Sequence, residues 1–288
     1  MNSETDTLFQ KLKDKTLYKV CASGNDFIIL LNLEREISPE EGSLLAKRLC
    51  RQKFSVSADG FIMVEPPKNP LASVSWCFFN ADGSVAEMCG NGARSCARLL
   101  YELKLVPSSF YLETLAGLIH CEIKGGRVKV ALGRPKDLKL NFILKTERDI
   151  YLVHFVNTGV PHLVLFWEDI EEAPVEKLGP ILRFHEFFKP AGTNVNFVGI
   201  LRENDKNFLK VRTYERGVEA ETLACGTGAS ASAYVAAKLG LVNFPVKVLT
   251  RGGETLIIDL DPESETLYLE GEARLVFRFQ IFEDALKE

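Results

Sequence analysis

Residues 87–95 read EMCGNGARS, and residues 223–231 read LACGTGASA. Both segments contain the pattern Cys-Gly-x-Gly-Ala, with Cys89 in the first and Cys225 in the second. The offset between these two cysteines also places residues 114–117 (TLAG) on residues 250–253 (TRGG). In both halves the order is a strand, a polar loop, the cysteine motif, a helix, a turn and a strand hairpin. Because an internal repeat of this kind determines the architecture, we predict a duplicated domain.

The elements around the motifs indicate an α+β protein. Apolar residues at helical spacing predict helices over 90–105 and 227–241. The segment 38–41 (SPEE) is typical of a helix start, with a Ser N-cap, a Pro and a Glu three residues after the cap. Strands and helices do not alternate regularly, which disfavours a doubly wound sheet. We therefore predict two pseudo-symmetric α/β barrel-like halves, each with one central helix.

Length and composition exclude several classes of protein. The chain has 288 residues, enough for two domains, and a formal net charge of −4 without a run of basic residues, so we expect no nucleic-acid partner. The longest uncharged stretch, 150–167, contains two His, a Gly and a Pro and resembles two strands and a turn, so we expect no membrane partner. The N-terminus lacks a signal-peptide pattern and suggests a cytoplasmic protein, with residues 1–15 as a polar extension. The seven cysteines, irregularly spaced, predict neither a disulfide framework nor a zinc site.

The two repeated motifs carry the chemistry. A cysteine at the first turn of a helix faces unpaired backbone N–H groups, which stabilise a thiolate. The glycines that follow let a ligand approach the backbone, where the same N–H groups suit a carboxylate. Two such elements related by a pseudo-twofold would place thiols on opposite sides of one carbon. That arrangement favours the movement of a proton from one face to the other, and predicts a cofactor-independent amino-acid racemase or epimerase with Cys89 and Cys225 as its acid/base pair.

Seven segments, in this order, resemble the diaminopimelate epimerase family, and the resemblance covers the chain from about Tyr18 onward. They are residues 23–27 (SGNDF), 79–84 (FNADGS), 89–94 (CGNGAR), 159–162 (GVPH), 194–197 (NVNF), 214–217 (YERG) and 221–228 (ETLACGTG). The resemblance implies interconversion of LL- and meso-diaminopimelate, feeding lysine and peptidoglycan synthesis, without pyridoxal phosphate or a metal. It also implies two pseudo-symmetric halves and a C-terminal strand, 272–288, that returns to the first half. The turn residues Gly133-Arg134-Pro135 are the boundary that the sequence itself indicates, which gives halves of 1–133 and 134–271.

The resemblance also assigns site residues. Cys89 and Cys225 correspond to the acid/base pair. His162, the candidate auxiliary group, and Glu215 match family residues near the thiols, where they could tune or relay protons. The residues assigned to the small-molecule amino-acid substrate are Asn25, Asn80, Asn194, Glu215 and Arg216 for its distal end, and Gly90, Asn91, Gly226 and Thr227 for the reacting carboxylate. The sequence leaves open whether the chain forms a homodimer and which cysteine is the base in each direction.

Departures from the family pattern bear on specificity. Val160 stands where many relatives have Asn, which motivates the hypothesis of a relaxed amino-acid preference. The segment 55–60 (SVSADG) departs from a GIGADG-like pattern, which leaves the role of Gly60 open. Cys96 is interpreted as structural.

Other interpretations of the same residues remain open. The two cysteines could be buried residues at glycine turns, the asparagines loop caps, Glu215-Arg216 a surface ion pair and His162 an interior histidine. A proline-racemase-like or isomerase activity on the same duplicated fold would keep the halves and change the pocket. A thiol redox switch or thiol-dependent binding protein is the alternative from a different class.

Overall fold

The computed structural model describes residues 3–204 and 206–287, and the chain divides into two compact units. Unit 1 runs to Val130 and resumes at Glu272, and unit 2 comprises Ala131–Gly271. The boundary expected at 133–135 lies just after the first division. The helix predicted over 90–105 occurs as Gly90–Glu102, and each unit has one such helix among many strands. The predicted α+β class with two like halves is therefore confirmed.

The secondary-structure elements follow in chain order. The helices of the described residues are α1 (Ser3–Leu12), α2 (Pro39–Leu49), α3 (Gly90–Glu102), α4 (Val175–Arg183) and α5 (Gly226–Lys238). The strands up to Gly133 are β1 (Leu17–Ala22), β2 (Asn25–Leu31), β3 (Gly60–Glu65), β4 (Val74–Asn80), β5 (Val85–Ala86), β6 (Ser109–Thr114), β7 (Gly117–Lys124) and β8 (Arg127–Gly133). The later strands are β9 (Lys136–Lys145), β10 (Ile150–Asn157), β11 (Pro161–Phe166), β12 (Asn194–Glu203), β13 (Lys206–Glu215), β14 (Ala220–Thr222), β15 (Val246–Thr250), β16 (Thr255–Leu260), β17 (Leu267–Glu272) and β18 (Arg274–Phe279).

The two units share one strand topology. In unit 1 the neighbours run β18-β1-β2-β3-β4-β6-β7-β8, and only the β2–β3 and β4–β6 pairs are parallel. In unit 2 the order β9-β10-β11-β12-β13-β15-β16-β17 repeats this pattern, with β11–β12 and β13–β15 parallel. The short strands β5 and β14 pair antiparallel with β4 and β13. The offset from Cys89 to Cys225 therefore corresponds to a repeated fold, since it also relates the start of α2 at Pro39 to that of α4 at Val175.

The sheet of unit 1 is covered on both faces. Successive residues of a strand point to opposite faces of its sheet. On β3, Met63 lies against α2, where a Cβ at Gly42 would approach within 2.7 Å of it. The preceding Ile62 lies against α3, 3.5 Å from the position of a Cβ at Gly92. The glycine in each helix therefore faces the strand that the helix covers.

The sheet of unit 2 is covered in the same way. Tyr214 on β13 packs against α4, where a Cβ at Gly179 would lie 2.6 Å from the ring. The preceding Thr213 faces α5, with its Oγ1 atom 3.2 Å from the position of a Cβ at Gly228. Most of α5 is buried, because its Gly, Ala and Ser side chains leave room for the helix to lie deep in the unit. The fold thus brings the N-terminus of α5, and the cysteine before it, into a tightly packed environment.

The expectation of a polar N-terminal extension is wrong. The described part of that segment forms α1, whose Leu8 and Leu12 are buried in the core with Ile281 and Leu286 from the chain end. Leu8 and Leu12 lie one helical turn apart and, together with the partly buried Phe9, make a narrow apolar stripe on the helix. Such a stripe is a weak signal in sequence, and its partner surface is supplied by residues from the opposite end of the chain.

Several elements were not predicted, among them strand β9 and helix α4. Strand β9 exposes most of its side chains and buries only Leu144, so its apolar alternation is weak. Helix α4 contains Gly179-Pro180, a pair that normally argues against a helix. In both cases tertiary packing decides the local structure, since β9 is hydrogen-bonded along β10 and α4 buries Val175, Leu178 and Leu182.

Candidate active site

Cys89 is the N-cap residue of α3. Its backbone is extended, with φ −145° and ψ 119°, and its Sγ atom accepts a hydrogen bond from the Gly92 backbone N–H at 3.4 Å. The first turn of a helix has N–H groups without intrahelical acceptors, and the residues there are Gly90 and Asn91. A sulfur at the positive end of a helix dipole is stabilised as a thiolate, and a carboxylate ligand is favoured at the same end.

Asn91 and Asn25 are brought together by a hydrogen-bonded chain in unit 1. The Nδ2 group of Asn91 donates to Oδ1 of Asn25 at 2.5 Å, and Asn25 in turn donates to the Asp59 carboxylate at 3.1 Å. On the other side, the fully buried Arg94 donates to Oδ1 of Asn91 at 2.7 Å and to the hydroxyl of Ser23. Both amides therefore have a fixed orientation, which a binding site requires.

Sequence reasoning did not assign roles to Arg94 and Asp59. Arg94 also donates to the backbone carbonyl of Glu272 at 2.9 Å, so it links the first turns of α3 to the returning C-terminal segment. Asp59 accepts from the backbone N–H of Asp26 at 3.0 Å. A charged residue placed among the apolar positions of a helix was the available signal for Arg94.

Asn80 lies apart from this chain of hydrogen bonds. Its side chain donates to Oγ of Ser84 at 2.9 Å, and its backbone N–H donates to the Ser84 carbonyl at 2.8 Å. Asp82 accepts from both the backbone and the hydroxyl of Ser84. The interaction of Asn80 is therefore that of a residue capping its own turn, which was the alternative interpretation of the asparagines.

Cys225 is the N-cap residue of α5 and is 9% exposed. Its Sγ atom lies 3.5 Å from Oγ1 of Thr227, and either atom can be the donor. The carbonyl of Thr227 accepts from the Thr158 hydroxyl at 3.0 Å, which fixes the first turn. The N–H groups of Gly226 and Thr227 lie in that first turn, so this helix start offers the same donors to an anion as the one after Cys89.

His162 lies in the interior of unit 2. Its Nδ1 atom is 3.2 Å from Nδ2 of Asn196. The Asn196 amide is oriented by two other bonds, since Nδ2 donates to the Leu163 carbonyl at 2.8 Å and Oδ1 accepts from Thr213 at 2.9 Å. Nδ1 of His162 is therefore the acceptor, and Nε2 carries the proton of the neutral ring. Burial, together with the nearby charge of Arg216, lowers the pKa of His162 to about 3, so the ring is uncharged at neutral pH.

Asn194, Glu215 and Arg216 are neighbours in unit 2. Asn194 donates to the Pro161 carbonyl at 2.9 Å and accepts from the Arg216 backbone N–H at 2.8 Å. The Glu215 carboxylate accepts from the Thr222 hydroxyl at 2.9 Å, and burial raises the pKa of Glu215. Arg216 directs its guanidinium to the Ala191 carbonyl at 3.3 Å. Within the described residues, Glu215 and Arg216 form no ion pair with each other.

A further pair positions the loop that leads to Cys225. Arg212 binds both carboxylate oxygens of Glu221, at 2.7 and 2.8 Å, and both side chains are nearly buried. The remaining guanidinium nitrogen donates to the carbonyls of Ile170, Glu171 and Ala173. A bidentate pair of this kind fixes geometry as well as contributing energy. The sequence offered no signal for it beyond an Arg on a strand.

Cys77, Cys96 and Gly60 have structural surroundings. Burial raises the pKa of Cys96 to about 12 and raises that of Cys77, as expected for inert thiols. A Cβ at Gly60 would lie 2.6 Å from the ring of Phe78, so this glycine is required by packing.

Across residues 3–204 and 206–287, no three His, Cys, Asp or Glu side chains gather as a metal site. Nor has any helix of that part of the chain the length and apolar character needed to cross a membrane.

The comparison with known structures shows the fold. The PhzF-family phenazine biosynthesis protein of Bacillus anthracis superposes with a TM-score of 0.72 at 15% identity, covering 93% of this chain and 99% of that one. A hydroxyproline epimerase from Agrobacterium vitis superposes with a TM-score of 0.68 at 16% identity, covering 93% and 92%. At these identities the likeness concerns the arrangement of elements alone.

The sequence comparisons are more specific. The family model described as diaminopimelate epimerase matches residues 17–138 and 154–276. The diaminopimelate epimerase of Aquifex aeolicus is 44% identical over 94% of this chain and 99% of its own length. That of Campylobacter jejuni is 39% identical, covering 90% and 96%. Both halves match, with each cysteine motif inside a matched segment, and the chain belongs to the diaminopimelate epimerase family.

Proposed function

We propose that this chain is an isomerase that interconverts LL- and meso-diaminopimelate, in the supply of lysine and peptidoglycan precursors. The observation that carries the proposal is the repeated helix start: Cys89 and Cys225 are each the N-cap residue of a helix whose first turn has backbone donors. The identity of 44% to a relative named for this activity supports the substrate. We also propose a cytoplasmic location, since we expect amino-acid precursors to be made there.

In the proposed reaction, the thiolate of one cysteine removes the α-proton of the substrate, and the thiol of the other delivers a proton to the opposite face. The C–H bond that breaks on one side is replaced by a C–H bond on the other, so the thiolate and thiol exchange roles. Charge develops toward the α-carboxylate, and preorganised donors aimed at developing charge are effective catalysts. Those donors are the N–H groups of Gly90 and Asn91 and of Gly226 and Thr227.

The distal end of the substrate carries a second amino group and a second carboxylate. Arg216 is suited to the carboxylate, since a guanidinium binds it through two parallel hydrogen bonds. Asn25 and Asn194 have orientations set by their protein partners, and each amide keeps hydrogen-bonding capacity for a ligand. Glu215 supplies the negative charge for the amino group. Asn80 stays in the proposed set, although its present partner is Ser84.

Loss of activity on removal of either thiol tests the proposal. Under reductant, purified protein with LL-diaminopimelate in deuterated water should exchange the α-proton and form the meso isomer without added cofactor. Cys89→Ala and Cys225→Ala should each reduce turnover to background while keeping the wild-type circular dichroism spectrum. Cys77→Ala is the matched control, since this cysteine lies outside the two motifs, and should keep its activity.

Retention of full turnover in either Ala variant would contradict the acid/base assignment. Absence of exchange in the wild type, together with a disulfide that titrates readily, would favour the thiol redox alternative. The same assay with glutamate, aspartate and alanine tests the effect of Val160. We propose a relaxed preference on the basis of this residue, and background turnover of all three would remove that hypothesis.

A further inference from the structure

A small cavity inside unit 2 has Cys225 in its lining. Its volume is about 10 Å³, which is near the space that one water molecule needs. The cavity is lined by Val211, Thr213, Thr222, Ala224, Cys225, Ala229 and Thr250. Three of these residues have hydroxyl groups. The position of a Cβ at Gly228 would be 3.2 Å from both Cys225 Sγ and Thr213 Oγ1, so the sulfur and this hydroxyl converge on one region.

The hydroxyl protons of two threonines are already used. Thr213 donates to Oδ1 of Asn196 at 2.9 Å, and Thr222 donates to the carboxylate of Glu215 at 2.9 Å. Each hydroxyl has one proton, so in the cavity Thr213 and Thr222 can only accept. A sulfur in its thiolate form can also only accept. The cavity therefore contains several hydrogen-bond acceptors. A molecule that satisfies more than one of them must have at least two protons to donate.

Thr250 supplies the remaining polar group. Its side chain is 3% exposed, and its Oγ1 atom has no hydrogen-bond partner among the described protein groups. A buried hydroxyl without a partner loses the hydrogen bonds that it makes with water in the unfolded chain, so such groups are usually paired with protein or with an ordered water. Thr250 can donate its proton into the cavity, where Thr213 and Thr222 cannot.

The corresponding position in unit 1 is built differently. Thr114, which the offset between the two cysteines relates to Thr250, donates to the Gly117 carbonyl at 2.9 Å and accepts from the Ala116 N–H at 3.1 Å. Its hydroxyl is therefore satisfied within its own turn. At the same offset, Thr213 corresponds to Cys77 and Thr222 to Ala86, so two of the three hydroxyls are missing from the copy that contains Cys89.

We propose that one ordered water molecule occupies this cavity, accepts a hydrogen bond from Thr250 and donates to the sulfur of Cys225 and to a threonine hydroxyl. Water matches the site, because buried waters typically make about three hydrogen bonds to otherwise unpaired groups. The water stabilises the thiolate of Cys225 and not that of Cys89. Thr250 is thus a positioning residue, and it gives the two cysteines different surroundings. The catalytic meaning of this difference rests on the proposed function.

The test compares Thr250→Val with Thr250→Ser and with the matched control Thr114→Val. Valine has nearly the shape of threonine but cannot donate, and serine keeps the hydroxyl. A crystal structure of the wild type should show density for a water within hydrogen-bonding distance of Thr250 Oγ1 and Cys225 Sγ. That density should be absent in Thr250→Val. A cavity that is dry in the wild type would overturn the proposal.

A second readout measures the effect on the sulfur. In a Cys89→Ala background, the rate of Cys225 alkylation by iodoacetamide is followed against pH by mass spectrometry of its peptide. Thr250→Val should move the midpoint upward by about one pH unit, the order expected for one lost hydrogen bond to a charged acceptor. Thr250→Ser and Thr114→Val should leave the midpoint in place. An unchanged midpoint in Thr250→Val, or an equal shift in Thr114→Val, would refute the inference. Neither readout uses turnover, so a failure of the proposed function would be seen separately, as absence of α-proton exchange.

Discussion

Gly92 and Gly228 occupy the same place in the two motifs, three residues after the cysteine, but their surroundings differ. A Cβ added at Gly228 would lie 2.3 Å from Oδ1 of Asn196 and 3.2 Å from Cys225 Sγ. Ordinary contacts between heavy atoms are about 3.5–4.0 Å, so the Asn196 contact is too short by more than about 1 Å. A Cβ added at Gly92 would meet its nearest neighbours at 3.4–3.5 Å, which is ordinary contact. We predict that Gly228→Ala is destabilising and Gly92→Ala is tolerated.

Three contributions determine the expected change in the free energy of unfolding. Alanine is preferred over glycine within a helix by about 1 kcal/mol, which favours both variants. Overpacking of a filled site costs about 1–3 kcal/mol. Displacement of Asn196 would also disturb its bonds to Leu163, Thr213 and His162, and a buried group left unpaired costs about 1–3 kcal/mol. Gly228→Ala should therefore lower the free energy of unfolding by about 2–4 kcal/mol, whereas Gly92→Ala should change it by about 1 kcal/mol or less.

Urea and thermal unfolding measure the difference. A loss of about 2–4 kcal/mol corresponds to a fall in Tm of roughly 5–15 °C for a domain of this size. Turnover should fall in Gly228→Ala because the added methyl group also presses on Cys225. Equal effects of the two substitutions on stability would refute the reasoning, as would a Gly228→Ala protein as stable as the wild type.

Two other buried groups give predictions of their own. The pKa of His162 is about 3 in the folded protein against an ordinary value of 6.5, so between these pH values the unfolded chain binds a proton that the folded protein does not. The free energy of unfolding should therefore fall as pH drops from about 6.5 to 3, by about 2 kcal/mol at pH 5 from this group. Urea unfolding at pH 7 and 5 should show a smaller decrease for His162→Gln, and an identical decrease would contradict the assignment. Arg94→Met removes the donor to Asn91 and to the Glu272 carbonyl, and should cost about 3 kcal/mol of stability and raise KM through Asn25. Unfolding and steady-state kinetics test this, and stability within about 0.5 kcal/mol of the wild type would disprove it.

Local signals in the sequence predicted the elements that have strong local patterns. The segment 38–41 forms the expected helix start, with Ser38 accepting from the Glu41 N–H at 3.3 Å and Glu41 accepting from the Ser38 N–H at 2.8 Å. Both cysteines are N-caps, as the Gly-x-Gly spacing indicates. Helix α1 and strand β9 were missed because their stability comes from packing and pairing with other elements. The roles of all the site residues, including those at the two helix starts, stay predictions that the variants test.

The sequence by itself determined the duplication, because one constant offset relates motifs, turns and strands without any knowledge of contacts. It also determined which helix starts carry a sulfur and a donor-rich turn, since these are properties of consecutive residues. Only the tertiary structure decided how equivalent positions differ. Gly92 has room for a methyl group and Gly228 does not, and the hydroxyl of Thr114 is used by its turn whereas that of Thr250 is not. The physical reason is that close packing and hydrogen-bond pairing depend on residues that lie far apart in the chain, so two copies of one motif acquire different surroundings once each sheet has formed.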